Sequence, residues 1–299
     1  MDPAFSVRSG IANSGILKSY LGLLCLGQND FDAIEGQRKD AFFARALGLR
    51  AVPSSPTLRQ RMDTHAASWF DLADELNAAV LGMKIAGKSV DFGVPPCGYM
   101  PLDVDTFACA NSGTVKEHVG RTYAGVDGYC PLAAYLGTPG FCLELALRPG
   151  TQHSASETEY NIKRVPSGKF DTNYLVCALA AVATSLLRLV GQHTLHEPDA
   201  PVRHTTQRRK IRTVIQELMF NAARMVHHAR QWVLGLGTND RAFAVFERHG
   251  CHWCRQAHTR IVKWVHTQAL VRPRTAHLAK RWANACGVAR CGGHVAQVR

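Results

Sequence analysis

Acidic residues are scarce in the last third of this 299-residue sequence. Residues 203–299 hold 18 Lys and Arg but only three acids (Glu217, Asp240 and Glu247), a net charge of +15. Residues 1–202 hold 17 Lys and Arg and 20 acids, a net charge of −3, so the two parts sum to the +12 of the whole chain. A basic third joined to a near-neutral body favours a polyanionic partner, most simply nucleic acid. A solvated basic surface without a partner is the alternative.

Long hydrophobic runs are also missing. The longest charge-free one, Thr172 to Leu187, is shorter than the ~20 residues that a bilayer requires and contains Thr, Asn and Ser. Met1–Ala12 lacks the basic start and apolar run of a signal peptide, and ten scattered cysteines form no secreted framework. We therefore expect a cytoplasmic protein with free thiols and no membrane partner. Its length and its 46% hydrophobic residues suit about two globular domains.

Several catalytic signatures are absent. The sequence contains no GxxxxGK phosphate loop, no GxSxG elbow and no HExxH motif. Ser167, in the segment Pro166-Ser167-Gly168-Lys169, has no His or acid partner that the sequence places beside it. We interpret that segment as a turn.

Residues 14–80 are predicted to be helical. Ser14 caps a first helix through Leu24, Asp30 caps a second that Gly48 ends, and Ser55 caps a third with Pro56 in its first turn. The third helix presents polar and basic side chains that suit phosphate and base-edge contacts in a helix–turn–helix. These residues are Thr57, Arg59, Gln60 and Arg61. An ordinary solvated helix start is the alternative.

Strand patterning begins after residue 88. Ser89–Phe92, Leu102–Thr106, Pro131–Leu136 and Phe141–Leu147 predict short strands, and the last three favour an antiparallel meander. Strict alternation places Leu102 and Val104 on one face of their strand and Asp103 and Asp105 on the other. Paired carboxylates suit a hard divalent ion, and Mg²⁺ is often held by one or two of them plus substrate phosphates. A solvated acidic strand is the alternative.

The C-terminal part is predicted to be helical up to residue 250. Residues 171–191 indicate a buried helix that Asp171 or Thr172 caps and Gly191 ends, and Arg208–Leu234 indicates a long helix. One face of that long helix carries Arg224, His227, His228 and Gln231, which suits a phosphate backbone or plain solvent. In the tail, a zinc site or incidental cysteines are both open. The candidate ligands are Cys251, Cys254, Cys286, Cys291, His252, His258 and His294.

Four stretches in order resemble the insertion-sequence transposases of the DDE group-one type, which are bacterial and have an RNase H-like core. They are DFDAIEGQRKDAFFARALGLRAVPSSPTLRQRMD (Asp30–Asp63), PLDVDTFACANSGTVKEHVGRTYAGVDGYCPLAAYLGTPGFCLELALRPGTQHSASETEY (Pro101–Tyr160), RVPSGKFDTNYLVCALAAVATSLLRLVGQ (Arg164–Gln192) and RRKIRTVIQELMFNAARMVHHAR (Arg208–Arg230). With flanking residues they cover most of residues 15–250. The resemblance implies DNA transposition, a form of DNA recombination carried out by a mobile element, in the cytoplasm at the nucleoid.

The resemblance also implies a site and partners. LDVD would be the first RNase H-like strand, with Asp105, or else Asp103, as the first catalytic carboxylate and metal ligand. A further Asp and a Glu would complete a site for two Mg²⁺ ions that nick transposon ends and join them to target DNA. The expected DNA contacts, to terminal repeats above all, are Thr57, Arg59, Gln60, Arg61, Lys116, Arg121, Arg208, Arg209, Lys210, Arg212 and Arg224. The oligomeric state stays open, a homodimer being one alternative.

The sequence departs from the family at two places. The family has a long segment between the stretches that end at Tyr160 and begin at Arg164, and it carries the second Asp and the Glu; here Asn161–Lys163 alone intervenes. Glu157, Glu159 and Asp171 are nearby acids without a matching position. Residues 251–299, with nine Lys and Arg and no acid, resemble nothing in the family.

The predicted architecture is α/β, with an incomplete RNase H-like sheet flanked by N- and C-terminal helical regions. Its parts are a helical DNA-binding region (1–85), a strand fragment (86–170), C-terminal helices (171–250) and a basic tail with little regular structure (251–299). A catalytically defective transposase remnant is the main interpretation. One alternative is a non-catalytic DNA-binding protein that occupies terminal repeats. The other is a misfolded product, because a sheet cut to three strands leaves an open edge and uncovered apolar surface.

Overall fold

The structure is a computed structural model. It describes residues 10–85, 88–95, 98–151, 165–195, 209–220, 223–228, 231–237, 244–245, 259–264, 287–291 and 294–298. The chain divides into two compact units, residues 1–193 with 206–215 and residues 194–205 with 216–299. The protein is of mixed α/β type, built from helices and small sheets in which all but one of the described strand pairs are antiparallel.

Short helices make up most of residues 13–81. They are α1 (Asn13–Cys25), α2 (Ile34–Gln37), α3 (Ala41–Ala46), α4 (Ser55–His65) and α5 (Phe70–Leu81), with 3-10 turns at Phe31–Ala33 and Ala66–Trp69. Their inner sides form a core around Ile16, Tyr20, Phe31, Leu58 and Met62, all fully buried. The prediction of a helical N-terminal region is confirmed.

The helix boundaries confirm part of the prediction and correct part of it. The Asp30 carboxylate accepts from the Asp32 N–H and begins the second helical segment, and Gly48 adopts a φ of +61° where α3 ends. The segment between them is not one helix, because the Asp40 side chain caps a new start at the Phe42 and Phe43 N–H groups. The predicted caps Ser14 and Ser55 are wrong. Ser14 lies inside α1, and Ser54 caps α4.

The central sheet holds the three strands predicted for a meander, all paired antiparallel, but the first two are separated along the chain by three short strands of another sheet. The strands in this part of the chain are β1 (Lys84–Ile85), β2 (Lys88–Ser89), β3 (Leu102–Thr106), β4 (Cys109–Ala110), β5 (Gly120–Arg121), β6 (Asp127–Tyr129), β7 (Leu132–Leu136) and β8 (Phe141–Ala146). The central sheet consists of β3, β7 and β8. Strand β7 lies between β3 and β8 and is antiparallel to both, while β4, β6 and β5 form a separate small sheet. The strand predicted at Ser89–Phe92 is reduced to β2, which pairs with β1.

One face of the central sheet is covered by a long buried helix, α6 (Phe170–Thr194). Leu145 and Ala133 of the sheet and Leu175 and Val176 of α6 belong to one hydrophobic cluster and are at most 1% exposed. The prediction of a buried helix is confirmed, but Gly191 does not end it. A Cβ at Gly191 would lie 2.7 Å from Val214 Cγ2, so this glycine permits close packing of the two segments.

In the described part of the chain, α6 is the one helix long and apolar enough to cross a membrane. Its most apolar window is 78% buried inside the protein, which is the behaviour of the core helix of a water-soluble protein.

The predicted long helix Arg208–Leu234 is wrong. The segment holds α7 (Ile211–Val214), a π-helical turn (Ile215–Met219) and the strands β9 (Ala223–His228) and β10 (Gln231–Gly237). Val226 pairs with Val233 across these strands; β-branched residues favour a strand, and the glycines of β10 disfavour a helix. The shared helical face of Arg224, His227, His228 and Gln231 is therefore also wrong.

The tail carries regular structure that the sequence did not indicate. It contains β11 (Thr259–Trp264), β12 (Gly287–Cys291) and β13 (His294–Val298). Strand β11 is parallel to β10, and β12 and β13 form an antiparallel pair. Pairing with a strand some twenty residues earlier is a long-range event that local periodicity does not encode.

Candidate functional site

The acidic pair lies on β3, at one edge of the central sheet. Asp103 is opposite Tyr135 and Asp105 is opposite Ala133, so both carboxylates point to the face that α6 covers. Asp103 is exposed, whereas Asp105 is only 9% exposed. The predicted alternation is confirmed. The apolar partners Leu102 and Val104 point to the opposite face, where they are 58% and 55% exposed.

The backbone of β3 has one side paired and one side open. The Phe107 N–H donates to the Pro131 C=O and the Gly137 N–H donates to the Pro101 C=O, so the odd-numbered residues direct their N–H and C=O groups toward β7. The even-numbered residues therefore direct theirs away from β7. Within the described ranges, no strand pairs with this outer side.

Asp105 is held in place at the closed end of that edge. Its Oδ1 accepts a hydrogen bond of 2.6 Å from the Thr106 N–H, and the Tyr123 hydroxyl donates to the Thr106 C=O at 3.4 Å. Both contacts occupy the outward-facing groups of Thr106. The carboxylate is thus fixed on the covered face of the sheet, next to the strand edge.

The described residues do not assemble a two-ion metal centre. No group of three or more His, Cys, Asp or Glu side chains suited to a metal occurs among them. Asp103 and Asp105 are two carboxylates at alternate positions of one strand, which suits one hard ion completed by phosphates but not two ions. Glu157 and Glu159 lie outside the described residues, and Asp171 lies at the start of α6.

Most of the predicted DNA contacts on α4 are used inside the fold. The Arg59 guanidinium stacks over the Phe31 ring at 5.1 Å and donates to the Pro166 C=O, and Arg61 donates to the Asn13 side chain. The Thr57 hydroxyl is 2.9 Å from that of Ser54. Gln60 is the one of the four that is exposed rather than half-buried. The arrangement supports a structural role for α4 more strongly than a recognition helix.

The other predicted contacts fall into three groups. Lys116 donates to the Asn111 side chain and to the Val165 C=O, so it joins a loop to the segment before α6. Arg121 pairs with Asp127 at 3.2 Å on the surface. Lys210 and Arg212 are exposed, and Arg209 is half-buried with its C=O accepting from Arg188. Arg208 and the Arg224 side chain lie outside the described residues.

A polar cluster at the start of α6 is a feature that the sequence analysis missed. Asp63 Oδ1 accepts from the Ser167 hydroxyl at 2.7 Å and from the Thr172 hydroxyl at 2.6 Å, and both hydroxyl residues are buried. The Ser167 hydroxyl therefore donates directly to a carboxylate, not to the histidine that would activate a serine nucleophile. We interpret Ser167 as a structural residue. Asp63 is more than 100 residues from both hydroxyl residues in sequence. Its position near the end of α4 is the one signal in the sequence that could have indicated a tertiary contact.

The N-terminus of α6 is capped from outside the helix. The Glu117 carboxylate accepts from the Phe170 N–H at 2.7 Å. An opening of about 280 Å³ nearby is lined by Asp63, Thr64, Ala66, Ala67, Glu117, Lys169 and Asp171. Three carboxylates against one lysine disfavour an anionic ligand, so this helix start is not a phosphate site.

The described cysteines are free thiols in apolar surroundings. Burial raises the pKa of the Cys109 thiol to about 11 and that of the Cys142 thiol to about 12, and it raises the pKa of Cys177 further. Thiols with such pKa values are inert at neutral pH. The candidate zinc ligands of the tail have side chains outside the described residues.

Comparison with known proteins adds no relative. No protein-family model, curated protein or solved structure matches the chain.

Proposed function

We propose that this protein descends from a DNA transposase of the DDE type and retains DNA binding without strand cleavage. The observation that carries the proposal is the position of Asp105, a carboxylate on the edge strand of a three-stranded antiparallel sheet, whose outer side meets no strand in the described ranges. In the RNase H-like arrangement that the resemblance implies, this strand would be the first of the sheet. Further strands would pair with its open side.

Loss of catalysis follows from the number of carboxylates. In-line phosphoryl transfer with two ions needs about three carboxylates around ions ~3.5–4 Å apart. Strand β3 supplies two, and the sequence passes from Tyr160 to Arg164 with three residues between them. The lone pair would hold a single Mg²⁺ through Asp105 and Asp103, and that ion would offset phosphate charge when DNA is bound.

Retained DNA binding rests on charge. The basic third of the sequence and the exposed Lys210 and Arg212 support contacts to phosphates that do not depend on base sequence. The alternative, a non-catalytic protein that occupies transposon ends, is disfavoured because Arg59 and Arg61 are used within the fold, so recognition through α4 would rest on Gln60.

A gel-shift experiment with the DNA that flanks the gene tests the proposal. We expect binding that weakens steeply with salt, since the logarithm of affinity falls by about 0.9 per phosphate contact for each tenfold rise in salt. Lys210→Ala combined with Arg212→Ala should lower that slope by about two. Arg121→Ala is the matched control and should change it less, because Asp127 already pairs with that guanidinium.

Two results would contradict the proposal. Binding that is insensitive to salt would exclude a phosphate-dominated interface. Cleavage of the same DNA in Mg²⁺ would show that the catalytic site is complete. The protein would then be an active transposase and not a catalytically defective remnant.

A further inference from the structure

Two features coincide on β3. The residues with exposed apolar side chains, Leu102 and Val104, are also the residues whose N–H and C=O groups point to the open edge. Asp103 lies between them and points to the other face, where it is exposed. An edge that combines open main-chain groups with exposed apolar side chains is a template for pairing with another strand.

The open part of the edge is short and well defined. Thr106 closes one end, because its N–H donates to the Asp105 carboxylate and its C=O accepts from Tyr123. Among the described residues, the stretch from Leu102 to Val104 remains without a strand partner on its outer side, with the N–H and C=O groups of those two residues directed outward. An incoming strand can therefore form a few main-chain hydrogen bonds, and its side chains must supply the remaining affinity.

The charges on β3 disfavour a second copy of the same strand. Antiparallel self-pairing centred on Val104 would place Asp103 of each copy opposite Asp105 of the other, and this would happen twice. Like charges directly opposite each other destabilise a strand pair. The same charges attract a strand that carries basic side chains on that face.

We propose that the Leu102–Val104 edge is a docking site for an extended segment of another protein in which basic and apolar side chains alternate. Its basic side chains would lie opposite Asp103 on one face of the sheet. Its apolar side chains would cover Leu102 and Val104 on the other face. The inference goes beyond the proposed function, since it requires neither DNA nor a metal.

Fluorescence anisotropy with the full chain and labelled peptides tests this docking. The probe is an eight-residue peptide of alternating lysine and valine, compared with one that has glutamate for lysine and one with its lysines and valines grouped in two blocks. We expect the alternating basic peptide to bind at least about fivefold more tightly than either control at low salt. Equal binding of the grouped peptide, or no binding at all, would overturn the proposal.

A charge variant separates this edge from other acidic surface. Asp103→Lys should weaken the lysine–valine peptide by about fivefold or more and should strengthen the glutamate–valine peptide. Glu75→Lys, an exposed acid on α5, is the matched control and should change neither. An equal loss in both variants would mean unspecific attraction and would overturn the proposal.

A backbone variant tests the strand pairing itself. The Val104 N–H points away from β7, so Val104→Pro removes an outward donor without removing a ladder hydrogen bond. We expect it to abolish peptide binding while the unfolding temperature stays near that of the parent chain. If the variant does not fold, the peptide N-methylated at alternate residues tests the same bonds on the unaltered protein and should not bind. Dimerisation of the unaltered chain that Val104→Pro abolishes would assign the edge to a second copy and would contradict the proposal.

Discussion

The central sheet is well packed on the face toward α6 and exposed on the opposite face and at the outer edge of β3. On the covered side, Leu145 and Ala133 pack against α6, and the carbonyls of β8 are held by the Asn77 amide and the Ser185 hydroxyl. On the open side, Leu102 and Val104 are more than half exposed, and the outer backbone of β3 meets no strand of the described ranges. Small domains rarely leave an apolar edge strand exposed to solvent. The contrast is therefore in keeping with our proposal that this sheet once had further strands on its open side.

The largest contrast is expected between substitutions on the two faces. Leu145→Ala should lower the free energy of unfolding by about 2–5 kcal/mol, because it leaves a cavity against α6. Val104→Ala removes side-chain atoms that solvent already reaches and should change the free energy by less than about 0.5 kcal/mol. Urea unfolding followed by circular dichroism measures both. Similar losses in the two variants would mean that the open face is covered in solution.

The cluster at the start of α6 should have the next largest effect. Asp63→Ala leaves the buried hydroxyls of Ser167 and Thr172 without their acceptor, at a cost of about 1–3 kcal/mol. Glu75→Ala, at an exposed position of α5, serves as the control and should cost less than about 0.5 kcal/mol. Thermal unfolding compares the two. An unchanged stability in Asp63→Ala would show that the segment before α6 is held by other contacts.

Removal of the side-chain hydrogen bonds to the β8 backbone should lower the free energy of unfolding by a smaller amount. The Ser185 hydroxyl donates to the Cys142 C=O at 2.9 Å, and Asn77 donates to the same oxygen. Ser185→Ala should therefore cost about 0.5–1.5 kcal/mol, and the loss should be larger in a chain that also carries Asn77→Ala than the sum of the two single changes, because the oxygen then loses both donors. Strict additivity in the double-mutant cycle would mean that the two donors act independently.

The smallest effect is expected at Glu35, in the short helix α2. The Ser55 N–H, at 2.7 Å, and then the Arg38 guanidinium hold the pKa of this carboxyl below its ordinary value of 4.5. A lowered pKa in the folded state stabilises the fold above the ordinary value, and this stability is lost as the pH falls through the lowered pKa. Glu35→Gln should flatten the dependence of the melting temperature on pH across that acidic range. An unaltered slope would refute the assignment.

The sequence predicted the elements that rest on local chemistry. Strands β3 and β8 follow from alternation and β7 from a short apolar run before a turn, and the Asp30 cap and the Gly48 end follow from residues whose preference is local. The even and odd sides of β3 were likewise predictable from period two. What periodicity could not give was the face that α6 covers, because Asp105 faces the core and Leu102 faces solvent, the reverse of the usual pattern.

Errors came where tertiary contacts decide the outcome. The pattern of Arg208–Leu234 suits a helix, but cross-strand pairs such as Met225 with Leu234 form a sheet there instead. Two of the predicted DNA contacts also have partners within the chain that the sequence did not indicate: Arg59 donates to the Pro166 C=O and Lys116 to the Val165 C=O, each more than 40 residues away in sequence. A single sequence carries no signal for such pairs.

Cleavage of DNA in Mg²⁺ is the most direct test of the central claim that Asp105 belongs to a catalytic site that has lost its partner acids. The full chain and its Asp105→Asn variant are each incubated with DNA that carries the ends flanking the gene, and 3′ nicks are counted on a denaturing gel. We expect no nicking above that of Asp105→Asn. Mg²⁺-dependent nicking that Asp105→Asn abolishes would contradict it.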